Sequence, residues 1–489
     1  MAVRLSSATL GRLPAGARPR ITPGAAGPGI VHLGLGAFHR AHQAVYAEDA
    51  MAAAGGDWGI VGVAPRSAAI AEALEAQDRL YSVTTLGPAG NSTRVIGAFA
   101  GVRQAAADPD AVVALLADPR IRVVTLTVTE KGYRLDPATG RVLLDDELRA
   151  DLGTDRPPRT VPGLLIRGLA ARRRADAGPI ALVSCDNLPA NGHRLRGLVS
   201  QTAGSLTDWV RDQVTFPGTM VDRIVPATTA STLDLAEAAL GVRDLAAVGG
   251  EPYSQWIIED DFPNGRPAWE RAGAVLTGDA RPWERLKLRT LNGVHSAIAY
   301  LGAVAGCATI AEALRLAGLE AAMRRFILED IAPTLDPPPG VLVAEYGDEV
   351  LARFANPAIG HRTVQVAMDG SQKLPQRVLH TIADRRSAGG VPRWGALVVA
   401  AWMRFVQGVA DDGRELPLDD PLAAEIRARL AAASAAPSDV VDALLGLDTV
   451  FDPALAGDEV VRALLVEWLT ALTRHGVAGT LSARQGVSL

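Results

Sequence analysis

Residues 30 to 36, Ile-Val-His-Leu-Gly-Leu-Gly, run apolar into two glycines, and apolar positions then recur at helical spacing from Ala37 through Ala50. That pattern predicts a strand, a tight turn and a helix. Further apolar runs at 59–63, 122–128 and 180–184 predict strands buried on both faces. Helical patterns around 105–116, 164–175 and 194–213 alternate with them, and 80–86 and 93–97 predict a pair of short strands. Residues 137–162 are polar and Pro-rich and predict a loop, while the Trp-, Pro- and Asp-dense stretch 251–270 predicts a connecting segment. After Thr290 strand signals nearly vanish. Helical patterns fill 296–332, 343–354, 374–386, 392–408, 421–434 and 457–474, with a polar loop at 368–375. The expectation is a doubly wound α/β sheet domain over 28–280 and a mostly α-helical domain over 281–489.

Residues 1–27 precede these domains. The first acidic residue is Glu48, as in a transit peptide, but Pro14, Pro19 and Pro23 favour a surface arm in a chain that is Ala-, Arg- and Gly-rich throughout.

Composition narrows the function classes. The chain has 489 residues, of which 48% are hydrophobic, enough for two large cores. A net charge of -5 argues against nucleic-acid or membrane-surface partners held by bulk charge. Two cysteines, Cys185 and Cys307, form no CxxC pair, so neither a disulfide framework nor a zinc signature is expected, and a cytoplasmic setting fits. No apolar run reaches the roughly 18 residues of a membrane span.

Candidate chemistry sits at two places. The first is the turn after residues 30–33. Gly34 permits the tight turn, and Gly36 lets the backbone approach a pyrophosphate at the helix start, as in a Rossmann-type dinucleotide fold. His39 takes the third glycine's place in GxGxxG, so the pattern alone is weak. The acid that would hold NAD ribose hydroxyls after the second strand is missing, and Arg66 stands there, which leaves NADP open. Glu130 and Asn187 are expected at carboxyl ends of strands, where ligands bind in open α/β sheets.

The second place is 284–295, Glu-Arg-Leu-Lys-Leu-Arg-Thr-Leu-Asn-Gly-Val-His. On a continuous α-helix at about 100° per residue, with Lys287 at zero, Glu284 falls near 60°, His295 near 80° and Asn292 near about 140°. An acid, an amine, an imidazole and an amide thus share one arc, which suits either a site or an ordinary amphipathic helix.

Taken together, several stretches resemble one family. They are Gly-Leu-Gly-Ala-Phe-His-Arg-Ala-His-Gln at 34–43, Thr-Val-Thr-Glu-Lys-Gly-Tyr at 127–133 and Ser-Cys-Asp-Asn at 184–187. Met-Val-Asp-Arg-Ile at 220–224, Lys287 with Asn292 and His295, and Asp-Gly-Ser-Gln-Lys at 369–373 complete the set. In this order, from about 28 to beyond 475, they resemble the polyol-specific long-chain dehydrogenase/reductase (mannitol dehydrogenase) family. The resemblance implies a Rossmann-type N-terminal domain, a helical C-terminal domain, an active site between them, an NAD cofactor, no catalytic metal and a monomer. It implies Lys287 as catalytic lysine, Asn187 and Asn292 as amides on the reacting oxygen, and His295 as a substrate-positioning group. It further implies Glu284, Glu130, Asp222 and Lys373 as polar site residues, and Gly34, Gly36, Ala37 and Phe38 as the nucleotide loop with Arg66 nearby.

Two departures bear on specificity. Family members often carry an acid near position 69, where this chain has Ala69, so the choice of NAD over NADP stays open. Mannitol 2-dehydrogenases tend to carry arginine where this chain has Gln365, and the stretch 365–377 is closer to the D-mannonate oxidoreductase (fructuronate reductase) branch. The expected substrate is a small sugar acid or polyol. Mannitol 2-, arabinitol and mannitol-1-phosphate dehydrogenases are the alternatives. A silent sugar- or nucleotide-binding protein is disfavoured by the intact lysine and asparagines, and a hydroxyacyl thioester dehydrogenase by its use of a histidine base.

The chemistry follows from the groups. Oxidising a secondary alcohol needs a base near neutral pKa; a free lysine, near about 10.4, is too basic, and burial beside a cationic ring lowers it. Amide donors aimed at the developing alkoxide act as an oxyanion hole. Lys373 and Arg377 either hold a substrate carboxylate or are solvated helix-start residues.

Overall fold

The computed structural model describes residues 3–65, 68–136 and 139–483. The chain forms two compact units, Met1–Arg281 and Pro282–Leu489.

The first unit is built on twelve strands: β1 (Pro28–Leu33), β2 (Gly59–Ala64), β3 (Tyr81–Gly87), β4 (Gly90–Ile96), β5 (Phe99–Gln104), β6 (Val123–Leu126), β7 (Ile180–Ser184), β8 (Val214–Thr215), β9 (Thr219–Asp222), β10 (Val248–Gly250), β11 (Gln255–Glu259) and β12 (Val275–Thr277). Six of them make one parallel sheet in the order β5-β2-β1-β6-β7-β8. Counting only these six along the chain, the order is 3-2-1-4-5-6, that of a Rossmann fold, with the reversal of winding between β1 and β6. The apolar runs are continuous because both faces are covered. Ile30, Ile60, Val123 and Val183 enter one core with Trp256 and Trp269, while Val31, Val61, Val124 and Leu182 enter another with Leu164 and Leu169.

Two three-stranded sheets, β10-β3-β4 and β12-β11-β9, complete the unit. They correct the reading of 251–270 as a connector, because Gln255–Glu259 pairs with both β9 and β12. Its tryptophans mark a core: Trp256 and Trp269 are fully buried with ring centroids 4.7 Å apart. The expected loop over 137–162 likewise contains a helix, Asp146–Gly153, whose N-cap Asp145 accepts from the Leu148 N–H. The opening arm packs on the same unit, burying Leu5, Leu13 and Ala17.

The second unit is helical. Helix Gly293–Val304 is buried along nearly its whole length and packs on Arg393–Phe405 and Thr363–Ala367; Arg393–Phe405 packs in turn on Glu459–Ala483. The helical span expected over 296–332 is broken into Gly293–Val304, Ile310–Ala313 and Leu319–Arg325, with a π-helical stretch at Phe326–Ile331. Two more π-helical stretches occur, at Leu288–Asn292 and Pro375–Leu379. The second has a direct cause. Pro375 continues the helix Gly370–Leu374 without an N–H to give, and the wider turn accommodates it.

Candidate active site

The switch point of the parallel sheet gathers the ends of three strands. Leu33 pairs with Leu126 and Leu126 with Ser184, so Gly34, Thr127 and Cys185 leave the sheet side by side. Gly34 has φ +106, and a Cβ there would collide with the Thr127 carbonyl oxygen, so the turn is written for glycine. Gly36 is exposed and a Cβ on it would meet nothing closer than 3.7 Å, which leaves the loop approachable. Ala37 and Phe38 follow, half-buried, in the first helical turn. The expected single helix to Ala50 is two, Ala37–Ala41 and Gln43–Ala54, broken at His42. His39, in the place of the third glycine, stacks on His32 with centroids 3.3 Å apart. His32 bonds Thr125 Oγ1 through Nδ1 at 2.8 Å, and Nε2 lies 2.9 Å from the Gly34 carbonyl. Burial pushes its pKa down to about 3. This exposed, glycine-shaped loop at the switch point fits a dinucleotide pyrophosphate. Arg66 lies outside the described residues.

Beyond β7 the decisive group is one that sequence reasoning passed over. Asp186 accepts from the backbone N–H groups of Val128 and Thr129 at 3.0 and 2.8 Å, and from the Tyr133 hydroxyl at 2.8 Å. It ties the segment after β6 to the segment after β7. Thr129 is held at φ +63, an uncommon backbone state for a β-branched residue. Burial raises the Asp186 pKa against these bonds. Glu130 is exposed at the start of a short helix, Glu130–Tyr133, and Asn187 is exposed beside Asp186. Its only signal in the sequence was its place before Asn187 at a strand end. Asp222 is buried at the end of β9, opposite Gln255.

In the second unit Lys287 ends helix Arg281–Lys287, Asn292 ends the π-helical stretch, and His295 lies in the next helix. The Gly293 N–H donates to Leu288, five residues back. The continuous α-helical spacing is therefore corrected. One extra residue in the turn sets everything after it back by about 100°, which brings Asn292 to within about 40° of Lys287 and His295 to within about 20°. The wider turn narrows the arc. Lys287 and Asn292 are 8% and 7% exposed, and Glu284 is half-buried. The turn is anchored by Arg289, which donates to Asp384 at 2.5 Å and to the Thr334 carbonyl at 3.1 Å. Gly293 has no room for a Cβ, which would stand 2.9 Å from the Arg377 carbonyl.

His295 stacks on Phe354, centroids 4.6 Å apart, and its buried Nε2 has no hydrogen-bond partner among the described residues. Burial, then the charges of His361, Arg377, Lys373 and Arg353, hold its pKa well below the usual value. The Lys373 ammonium donates to the Met368 carbonyl at 2.5 Å, with Asp369 at 4.0 Å. The Arg377 guanidinium donates to Ser296 Oγ at 3.0 Å, its sole side-chain hydrogen bond among the described residues. Burial lowers the pKa of both cations. Among the described residues no group of three His, Cys, Asp or Glu side chains is arranged to hold a metal ion.

Fold and groups together define an oxidoreductase acting on CH–OH groups. The mannitol dehydrogenase Rossmann domain family matches residues 28–271, and the mannitol dehydrogenase C-terminal domain family matches 279–472. The chain belongs to the mannitol dehydrogenase family. It is 42% identical to the uncharacterized oxidoreductase YeiQ of Escherichia coli, covering 90% of this chain and 91% of that one. It is 41% identical to the D-mannonate oxidoreductase of E. coli, covering 86% and 88%. Among solved structures, the Pseudomonas fluorescens mannitol 2-dehydrogenase ternary complex with NAD and D-mannitol aligns with a TM-score of 0.87 at 34% identity, covering 99% of this chain and 100% of that one. No described helix is long and apolar enough to cross a membrane.

Proposed function

We propose that this protein is an NAD-dependent dehydrogenase interconverting the secondary alcohol and the ketone of an open-chain sugar acid, D-mannonate and D-fructuronate. The carrying observation is Arg377: a half-buried guanidinium whose sole side-chain hydrogen bond among the described residues goes to the neutral Ser296 hydroxyl. A buried cation without a carboxylate is costly, and a substrate carboxylate would complete it through a two-pronged hydrogen bond. Lys373, bonded mainly to a carbonyl, adds a second positive charge. The likeness to D-mannonate oxidoreductase, 41% identical, supports the same reading.

Bound NAD would accept the hydride from the carbinol carbon. Gly34, Gly36, Ala37 and Phe38 would shape its pyrophosphate site. Lys287 is the base that takes the hydroxyl proton, and the acid in the reverse direction. Asn187 and Asn292 donate to the oxygen as it gains negative charge, where losing one donor costs about 100- to 1000-fold. The open Nε2 of His295 meets a substrate hydroxyl, Glu284 passes the proton on towards water, and Glu130 and Asp222 bond further hydroxyls. The enzyme works as a cytoplasmic monomer, a setting that suits its two free thiols, Cys185 and Cys307.

A mannitol 2-dehydrogenase activity is the second reading, supported by the likeness to the NAD and D-mannitol complex. The test is oxidation of NADH and NADPH with D-fructuronate, D-tagaturonate, D-fructose and fructose 6-phosphate. Turnover confined to the keto-acids supports the first reading; turnover confined to fructose overturns it.

A further inference from the structure

A second cavity, of about 520 Å3, lies in the first unit among Arg20, Asp49, Thr85, Ser92, Arg94 and Arg223. Its volume is that of a small-molecule site. None of the residues assigned to the dehydrogenase chemistry lines it.

Its charges do not balance. Asp49 is its one lining carboxylate among the described residues, against three guanidinium groups. Arg20 and Arg94 share that carboxylate, each giving one Nη1 to a different oxygen, at 3.0 and 2.8 Å. Neither closes the two-pronged pair that guanidinium and carboxylate form when matched, so donors on both are left for another acceptor. Arg223 donates to two backbone carbonyls, those of Glu251 and Ala41, and feels the Glu251 charge, whose carboxylate does not line the cavity. Burial lowers the Arg223 pKa, against the charge of Glu251. Thr85 and Ser92, a cross-strand pair of β3 and β4, also line the cavity, and among the described residues their hydroxyls have no hydrogen-bond partner. Three cations, one acid and two open hydroxyls around a cavity describe a receptor for an oxyanion that carries hydroxyl groups.

We propose that this cavity is a second ligand site, taking a small hydroxylated oxyanion: the phosphate monoester or the carboxylate of a sugar derivative. The arginines hold the oxyanion, and Thr85 and Ser92 meet the hydroxyls. Arg223, which lines the cavity, directly follows Asp222 at the end of β9.

The test is calorimetric titration of the full-length protein, saturated with NADH, with inorganic phosphate, glucose 6-phosphate and gluconate. Two variants are compared, Arg94→Gln and Ser92→Asp. The second adds a carboxylate at an exposed strand position, and it halves the net positive charge of the cavity without disturbing the fold. Binding of glucose 6-phosphate weakened about tenfold or more in both variants supports a phosphate site. Binding of gluconate alone, weakened in the same way, supports a carboxylate site. Turnover of the sugar substrate at saturation stays within about twofold in each, a single surface-cavity change away from the reacting atoms. Equal affinity in wild type and Ser92→Asp, or no binding of any of the three probes, overturns the proposal.

Discussion

The imidazole of His295 lies face to face with that of His361, ring centroids 5.4 Å apart and planes 20° from parallel. Burial depresses both pKa values, and His295 also feels Arg377, Lys373 and Arg353. Neither ring gains by taking a proton. His295 therefore meets its ligand as a neutral imidazole with one nitrogen open, a partner for a hydroxyl rather than for an anion. On the proposed reading, the carboxylate of a sugar acid is left to Lys373 and Arg377.

The same depression makes stability depend on pH. The folded-state pKa values of His32, His39, His295 and His361 lie below that of the unfolded chain. Their contribution is present above about pH 6.5 and is lost as pH falls, because the unfolded state binds more protons. With a folded pKa of about 3, His32 alone costs about 2 kcal/mol between pH 7 and pH 5. Urea denaturation at the two pH values should show a lower midpoint at pH 5, with proton uptake on unfolding. A midpoint that does not move counts against these buried neutral rings.

Lys287→Ala should lower turnover by about 100- to 10000-fold, the range for a lost general base, in both directions of the reaction. NADH binding, followed by fluorescence, should stay measurable and close to wild type. A variant with wild-type turnover rules Lys287 out as the base.

Arg377→Met keeps much of the side chain's bulk and removes its charge. The KM for a keto-acid should rise about 10- to 100-fold, the worth of a charge-assisted bond, with kcat nearly unchanged. The KM for fructose should hardly move. An equal loss on both substrates would point to a packing role instead.

Asp186→Asn puts an amide NH2 against one of the two N–H groups, of Val128 or of Thr129, that the two carboxylate oxygens now accept from. A mismatch of this kind costs about 1 to 3 kcal/mol. The melting temperature should fall, and turnover should fall with it as the segments after β6 and β7 part. Unchanged values for both would show that the Asp186 link is dispensable.

What could be read from the sequence was what depends on period and composition. Continuous apolar runs gave away β1, β2, β6 and β7, since strands covered on both faces need no polar alternation. Gly34 and Gly36 were visible because glycine at such a turn has a steric reason. The π-helical stretch at Leu288–Asn292 was not visible, for it is made of ordinary helix formers and stabilised by distant groups, the Arg289 pair with Asp384 and the Gly293 contact with Arg377. Trp256 and Trp269 were read as a linker because short strands edged by Pro and Asp resemble one. Asp186 was missed because its partners, Val128, Thr129 and Tyr133, lie more than fifty residues away in the chain.

The wide turn before Gly293 imposes a rule of counting. A substitution within Leu288–Asn292 that keeps a helix-forming residue leaves the tally intact, and neighbours can adjust around it. Removing one residue from 288–291 would let the helix close to its ordinary pitch, and the lost residue and the lost wide turn would cancel, so Asn292 and His295 would keep their bearing to Lys287. What this stretch has to preserve over evolutionary time is the match between residue count and turn width: the same residues wound as plain α-helix would swing Asn292 and His295 by about 100°, whereas a relative one residue shorter here with an ordinary turn presents the same face.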